Sequence, residues 1–70
     1  MAYFKYEQVA DKLTELILNK TYVAGEKIPT EDELSQQFQV GRQTVRKAVV
    51  LLEESGYLKK VQGSGTYVCK

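Results

Sequence analysis

The chain has no histidine and a single cysteine, Cys69. Without histidine the most common zinc ligand and general base is missing, so neither a metal site nor a cofactor is expected. A lone thiol closes no intramolecular disulfide, which suits a reducing compartment. Next to the C-terminus, Cys69 reads as a small strand residue. Long apolar runs are absent too. The longest, Ala48 to Leu52, falls far short of the roughly 20 residues a membrane span needs. The N-terminus lacks the basic segment and apolar core of a secretory signal. The expected location is therefore cytoplasmic, with no membrane partner. Enzymatic chemistry finds little to use, for no cysteine stands beside a base and no carboxylate pair is set for a cleft. No glycine-rich loop opens a helix with the Lys-Ser/Thr pair that would cradle a nucleotide.

What is present suits one small domain spanning residues 1–70. An apolar fraction of 43% is ordinary for a folded chain. At 70 residues, the fold buries only roughly 60% of the unfolded surface, leaving little room for a separate pocket. The net charge of +1 is uninformative, but its distribution is not. Residues 1–41 carry four lysines against seven carboxylates, and residues 42–70 carry six basic side chains against two glutamates. Such a split allows a basic face toward phosphates, although uneven surface charge alone does not establish one.

Hydrophobic spacing predicts a first helix from about Tyr6 to Asn19. Tyr6, Val9, Ala10, Leu13, Leu16 and Ile17 form one buried stripe, with Leu18 pointing away from it. Lys20 sits where a cation suits the helix C-terminus. In the connection that follows, Pro29 biases Ile28 toward an extended conformation, so Lys27-Ile28 can pair as a very short strand. A second helix starts at Thr30, whose capping box is completed by Glu33. Glu31, Asp32 and Glu33 complement its dipole, and consecutive helix positions do not converge on a metal. Leu34 and Phe38 are its buried anchors. Gln39-Val40-Gly41 forms a turn, with Val40 tucked between helices and Gly41 as the next N-cap.

The third helix is predicted from about Arg42 to Ser55. Val45, Ala48, Val49 and Leu52 face the core, and Gln43, Arg46, Lys47 and Val50 lie opposite. Gly56 ends it. Tyr57 to Val61 and Thr66 to Cys69 then read as two strands joined by a Gln62-Gly63-Ser64-Gly65 loop. The fold class is mainly α with a small β-hairpin, a three-helix winged helix-turn-helix.

Four blocks carry a family resemblance. They are Gly25-Glu26-Lys27-Ile28-Pro29-Thr30-Glu31-Asp32-Glu33-Leu34, Val40-Gly41-Arg42-Gln43-Thr44-Val45-Arg46-Lys47-Ala48, Gly56-Tyr57-Leu58, and Gln62-Gly63-Ser64-Gly65-Thr66-Tyr67-Val68. In this order and spacing the chain resembles, from about Tyr6 to Val68, the N-terminal DNA-binding domain of the GntR family of bacterial transcription regulators. The opening Lys5-Tyr6-Glu7-Gln8-Val9 is more similar to the sugar- and metabolite-responsive branches. The resemblance implies a cytoplasmic regulator that binds double-stranded operator DNA as a homodimer. It also implies a C-terminal domain, absent from these residues, that binds a small-molecule effector. Two departures stand out. Gln39 occupies a turn position where the family usually has Gly, and Gly41 one where it usually has Ser or Thr. Asp32 stands where some members carry a base-contacting Arg, and that contact is not carried over.

Candidate DNA-binding residues follow from chemistry and from the resemblance together. Arg42 and Arg46 can grip guanine O6 and N7 or clamp a phosphate. Against a merely solvated face, Glu53 and Glu54 are badly spaced to pair with Arg46 along the helix. Gln43 can read adenine, and Thr44 can reach a phosphate or a thymine methyl, though exposed Gln is common and Thr44 can pack inward. Lys47 suits a phosphate. Gly63 and Gly65 serve the hairpin in any case, but a slim loop can also enter the minor groove, with Gln62 and Ser64 hydrogen-bonding there. Thr30 is first a cap, and the same helix end approaches a phosphate in the family. The alternative is a winged helix that binds protein without touching DNA, whose recognition face would be apolar.

Overall fold

The computed structural model describes residues 5–69. Among them, α1 spans Lys5–Leu18, α2 Glu31–Phe38 and α3 Arg42–Glu54, followed by β1 at Leu58–Val61 and β2 at Gly65–Val68. The order is that of a three-helix unit with a C-terminal hairpin, as the sequence pattern predicts. Each predicted boundary shifts by a residue at most.

The helix ends show why the chain stops where it does. Thr30 Oγ1 accepts from the Glu33 amide at 3.2 Å, and the Thr30 amide donates to Glu33 Oε1 at 2.9 Å. This is the reciprocal capping box that the sequence announces. At the far end of α3, Gly56 has φ 86°. Its amide donates to Glu53 O, and the Tyr57 amide donates to Leu52 O. That closing pattern needs a left-handed residue, which glycine provides without a Cβ clash. It also engages the Tyr57 amide, so β1 begins at Leu58. α1 closes in the same way but with Lys20 at φ 72°. Lys20 is thus the left-handed closing residue of α1, beyond its last turn.

The core is one cluster. Val9, Ala10, Leu13 and Ile17 of α1 meet Leu34 of α2 and Val45, Ala48, Val49 and Leu52 of α3. Ile28, Leu58 and Val68 close it from the hairpin side. Leu13, Leu34 and Val45 are the largest fully buried side chains, and truncating a residue of this kind to Ala costs about 2–5 kcal/mol. Leu16 and Phe38, both expected in the core, are half-buried at its edge. Leu18 is exposed.

β1 and β2 pair antiparallel in the register Leu58↔Val68, Lys59↔Tyr67, Lys60↔Thr66, Val61↔Gly65. The segment before Pro29 adds to the outer edge of β2, through a bridge between Lys27 and Tyr67. The Ile28 amide donates to Thr66 O at 2.9 Å, and the Val68 amide to Glu26 O at 2.9 Å. The expected short strand at Lys27-Ile28 is therefore present as this bridge. It ties the hairpin to the start of α2 and fixes the wing beside the helix pair.

Candidate nucleic-acid interface

The α2–α3 turn sets the geometry. Gln39 sits in the left-handed region at φ 58°, ψ 47°, and its amide donates to Ser35 O. Val40 is half-buried against the core. Gly41 takes the extended N-cap conformation at φ −72°, ψ 157°, with no side-chain hydrogen bond capping α3. The turn aims the first residues of α3 out of the molecule. Arg42, Gln43, Arg46, Lys47 and Val50 are exposed along one face, and Thr44 is half-buried at its margin. Gln62, Gly63 and Ser64 form the exposed tip of the wing, with Gly63 at φ 79°.

Several of these residues already have partners. Arg46 reaches across to α2, where Nε donates to Glu31 Oε2 at 3.2 Å and Nη2 to Glu31 Oε1 at 3.0 Å. The sequence reading considered acids on α3 alone as partners for Arg46 and missed this one, because the acid lies on another helix. Arg42 Nε lies 3.1 Å from Asp32 Oδ1. The acidic first turn of α2 therefore does more than complement the dipole, since it contacts both arginines. The hydrogen bonds from Arg46 hold the Glu31 carboxyl below the usual carboxylate range, against partial burial, with the positive charges of Arg46, Lys60 and Arg42 helping. The same contact raises Arg46. Lys47 Nζ lies 5.6 Å from the centre of the Tyr6 ring, a cation–π distance that steers the lysine along the α1 side of the face.

The wing differs from a bare hairpin loop. Ser64 Oγ shares a hydrogen bond with the Tyr67 hydroxyl. Gly65 is half-buried, at φ 146°, and Lys27 lies over it: a Cβ there would stand 2.4 Å from Lys27 Cε. Gly65 thus makes room for Lys27, and Gly63 is the glycine at the tip. Between the start of α2, α3 and the hairpin runs a groove of about 400 Å³ whose lining includes Lys27, Glu31, Asp32, Arg42, Arg46, Lys60 and Ser64. Lys27, Lys60, Glu31 and Asp32 thus join the residues chosen from sequence. The sequence hinted at three of them, through the bridge predicted at Lys27, the paired lysines Lys59 and Lys60 on the first strand, and the place of Asp32 where some family members carry an arginine, whereas Glu31 was read as dipole compensation only. Thr30 borders the groove with its hydroxyl engaged in the cap. Among the described residues, no cluster of His, Cys, Asp or Glu is arranged to hold a metal.

The sequence pattern described as "Bacterial regulatory proteins, gntR family" matches residues 5–68. The chain belongs to the GntR family. It is 46% identical over 66 residues to the arabinose metabolism transcriptional repressor of Geobacillus stearothermophilus, covering 94% of this chain and 18% of that protein. It is 44% identical over 63 residues to the mannosyl-D-glycerate transport/metabolism system repressor MngR of Escherichia coli K12, covering 90% of this chain and 26% of that protein. The chain therefore spans about a fifth to a quarter of these relatives' length. Among solved structures, the AraR DNA-binding domain in complex with operator ORR3 superposes with a TM-score of 0.93 at 43% identity, covering 99% of this chain and 83% of that one. The same domain in complex with operator ORE1 gives 0.94 at 43% identity, covering 99% and 84%. Kinship to sugar-metabolism repressors agrees with the resemblance of the opening Lys5 to Val9 segment.

Proposed function

We propose that this chain is the DNA-reading domain of a bacterial transcription repressor and binds operator DNA in a sequence-specific manner. One observation carries the reading. The outward face of α3 presents Arg42, Gln43, Arg46 and Lys47 next to the wing, in a fold whose 43%-identical neighbours are described as complexes with operators. In this reading α3 enters the major groove. Arg42 and Arg46 grip guanine edges or phosphates, Gln43 reads adenine, and Thr44 meets a phosphate or a thymine methyl. Lys47 binds the backbone and sets the register. The tip at Gln62, Gly63 and Ser64 probes the minor groove with Gly65 behind it, and the Thr30 end of α2 approaches a phosphate.

A single copy covers little DNA, so its binding is weak and falls steeply with salt. Pairing into a homodimer supplies affinity and a palindromic site. The dimer contacts and the effector pocket are assigned to a further C-terminal domain of the intact regulator. The protein works in the cytoplasm and catalyses nothing.

Selection of duplexes from a randomised pool, with the native chain and with Arg42→Ala and Arg46→Ala, tests this. The expected result is a short enriched half-site that loses definition at separate positions in the two variants. No binding by the native chain even at low salt would overturn it in favour of a protein-binding winged helix. Binding without enrichment would overturn the sequence-specific part.

A further inference from the structure

Three carboxylates open α2, and the structure uses them differently. Glu33 turns back to the Thr30 amide. Glu31 gives both oxygens to Arg46. Asp32 meets Arg42 through Oδ1, and both side chains stay about two-thirds exposed, at 67% and 66%. The contact uses Arg42 Nε. The two terminal guanidinium nitrogens form the edge that matches guanine O6 and N7.

We propose that Asp32 is a specificity-determining residue, accepting a hydrogen bond from the exocyclic amino group of a base in the major groove beside the base that Arg42 grips. The inference rests on the DNA-reading function above. Its logic is that of donors and acceptors. Arg42 only donates, and an ionised carboxylate only accepts. In the major groove the donors are cytosine N4 and adenine N6, whereas guanine offers acceptors and thymine an acceptor and a methyl. A G·C pair presents both halves of the match on one edge, O6 and N7 for Arg42 and N4 for Asp32. The 3.1 Å ion pair brings the carboxylate to whatever edge the guanidinium reaches. A phosphate at the same place would meet the carboxylate's negative charge. The pair therefore favours a base edge over the backbone, which a lone arginine does not.

The test uses the duplex enriched by the native chain. Each cytosine in the half-site is replaced in turn by 2-pyrimidinone, which lacks the N4 amino group, and each adenine by purine, which lacks N6. Binding is measured for the native chain and for Asp32→Ala, with melting curves to verify that the variant is folded. At one position the native chain should lose about tenfold in affinity on amino-group removal, while Asp32→Ala loses almost nothing. Whether that position is a cytosine or an adenine identifies the donor. Equal losses for both proteins at every position would overturn the inference. So would a uniform gain in affinity of Asp32→Ala for all duplexes, which would make Asp32 a repellent of phosphate only. If the native chain enriches no duplex, it is the DNA-reading function itself that fails.

Discussion

Arg46 and Glu31 are 15 residues apart in sequence and meet because the turn folds α2 across the start of α3. A guanidinium with Nε and Nη2 engaged is held in one orientation, so less side-chain entropy would be lost if its remaining edge took a further partner. The contact also gives stability a pH dependence. Glu31 has a folded pKa below its unfolded one, chiefly through the Arg46 hydrogen bonds. The unfolded chain therefore takes up this proton first as pH falls. The stabilisation is full above the ordinary glutamate range and disappears as pH drops through the lowered folded value. Glu31→Gln should melt slightly lower than the native protein at neutral pH, by an amount typical of an exposed ion pair. The gap should close as pH falls below the ordinary glutamate range and through the lowered folded value. Melting curves that stay separated at acid pH would show that the glutamine disturbs packing rather than a charge.

Among the elements, the turn between α2 and α3 departs furthest from what local propensity favours. Gln39 adopts a left-handed conformation that costs a side-chain-bearing residue about 1–2 kcal/mol, and glycine gives back part of that gain as unfolded-state entropy. Gln39→Gly should stabilise the protein by about 0.5–1 kcal/mol, raising its melting midpoint by about 3–6 °C. Gly41 leaves α3 without a side-chain cap, and a Cβ there meets nothing within 4 Å. Gly41→Ser should add a smaller rise of the same sign, because serine exceeds glycine as an N-cap by only a few tenths of a kcal/mol. Thermal melts decide both, and an unchanged or lower midpoint contradicts them. These elements were legible because their signals are local. The spacing of Val45, Ala48, Val49 and Leu52, the Thr30–Glu33 box and the glycines near the wing each act within a few residues. The left-handed Lys20 was not legible, since nothing in its type demands that conformation.

For the whole molecule, the exposed face of Arg42, Gln43, Arg46, Lys47 and Val50 was legible in the helix period, but its internal partners were not. Glu31 with Arg46, Asp32 with Arg42, Lys27 over Gly65 and Lys47 beside Tyr6 join different elements. No helix or strand period predicts which side chains such packing brings together. The result is a face where basic side chains are interleaved with carboxylates, Arg42 with Asp32 and Arg46 with Glu31. The central claim is that α3, the start of α2 and the wing together form the DNA-binding surface. Amide chemical shifts of the labelled domain, titrated with a selected duplex, test it most directly. The account predicts the largest changes in residues 42–47, 30–32 and 62–65, with little change along Lys12, Glu15 and Leu18 on the outer side of α1. Changes centred on that α1 surface, with residues 42–47 unmoved, would contradict it.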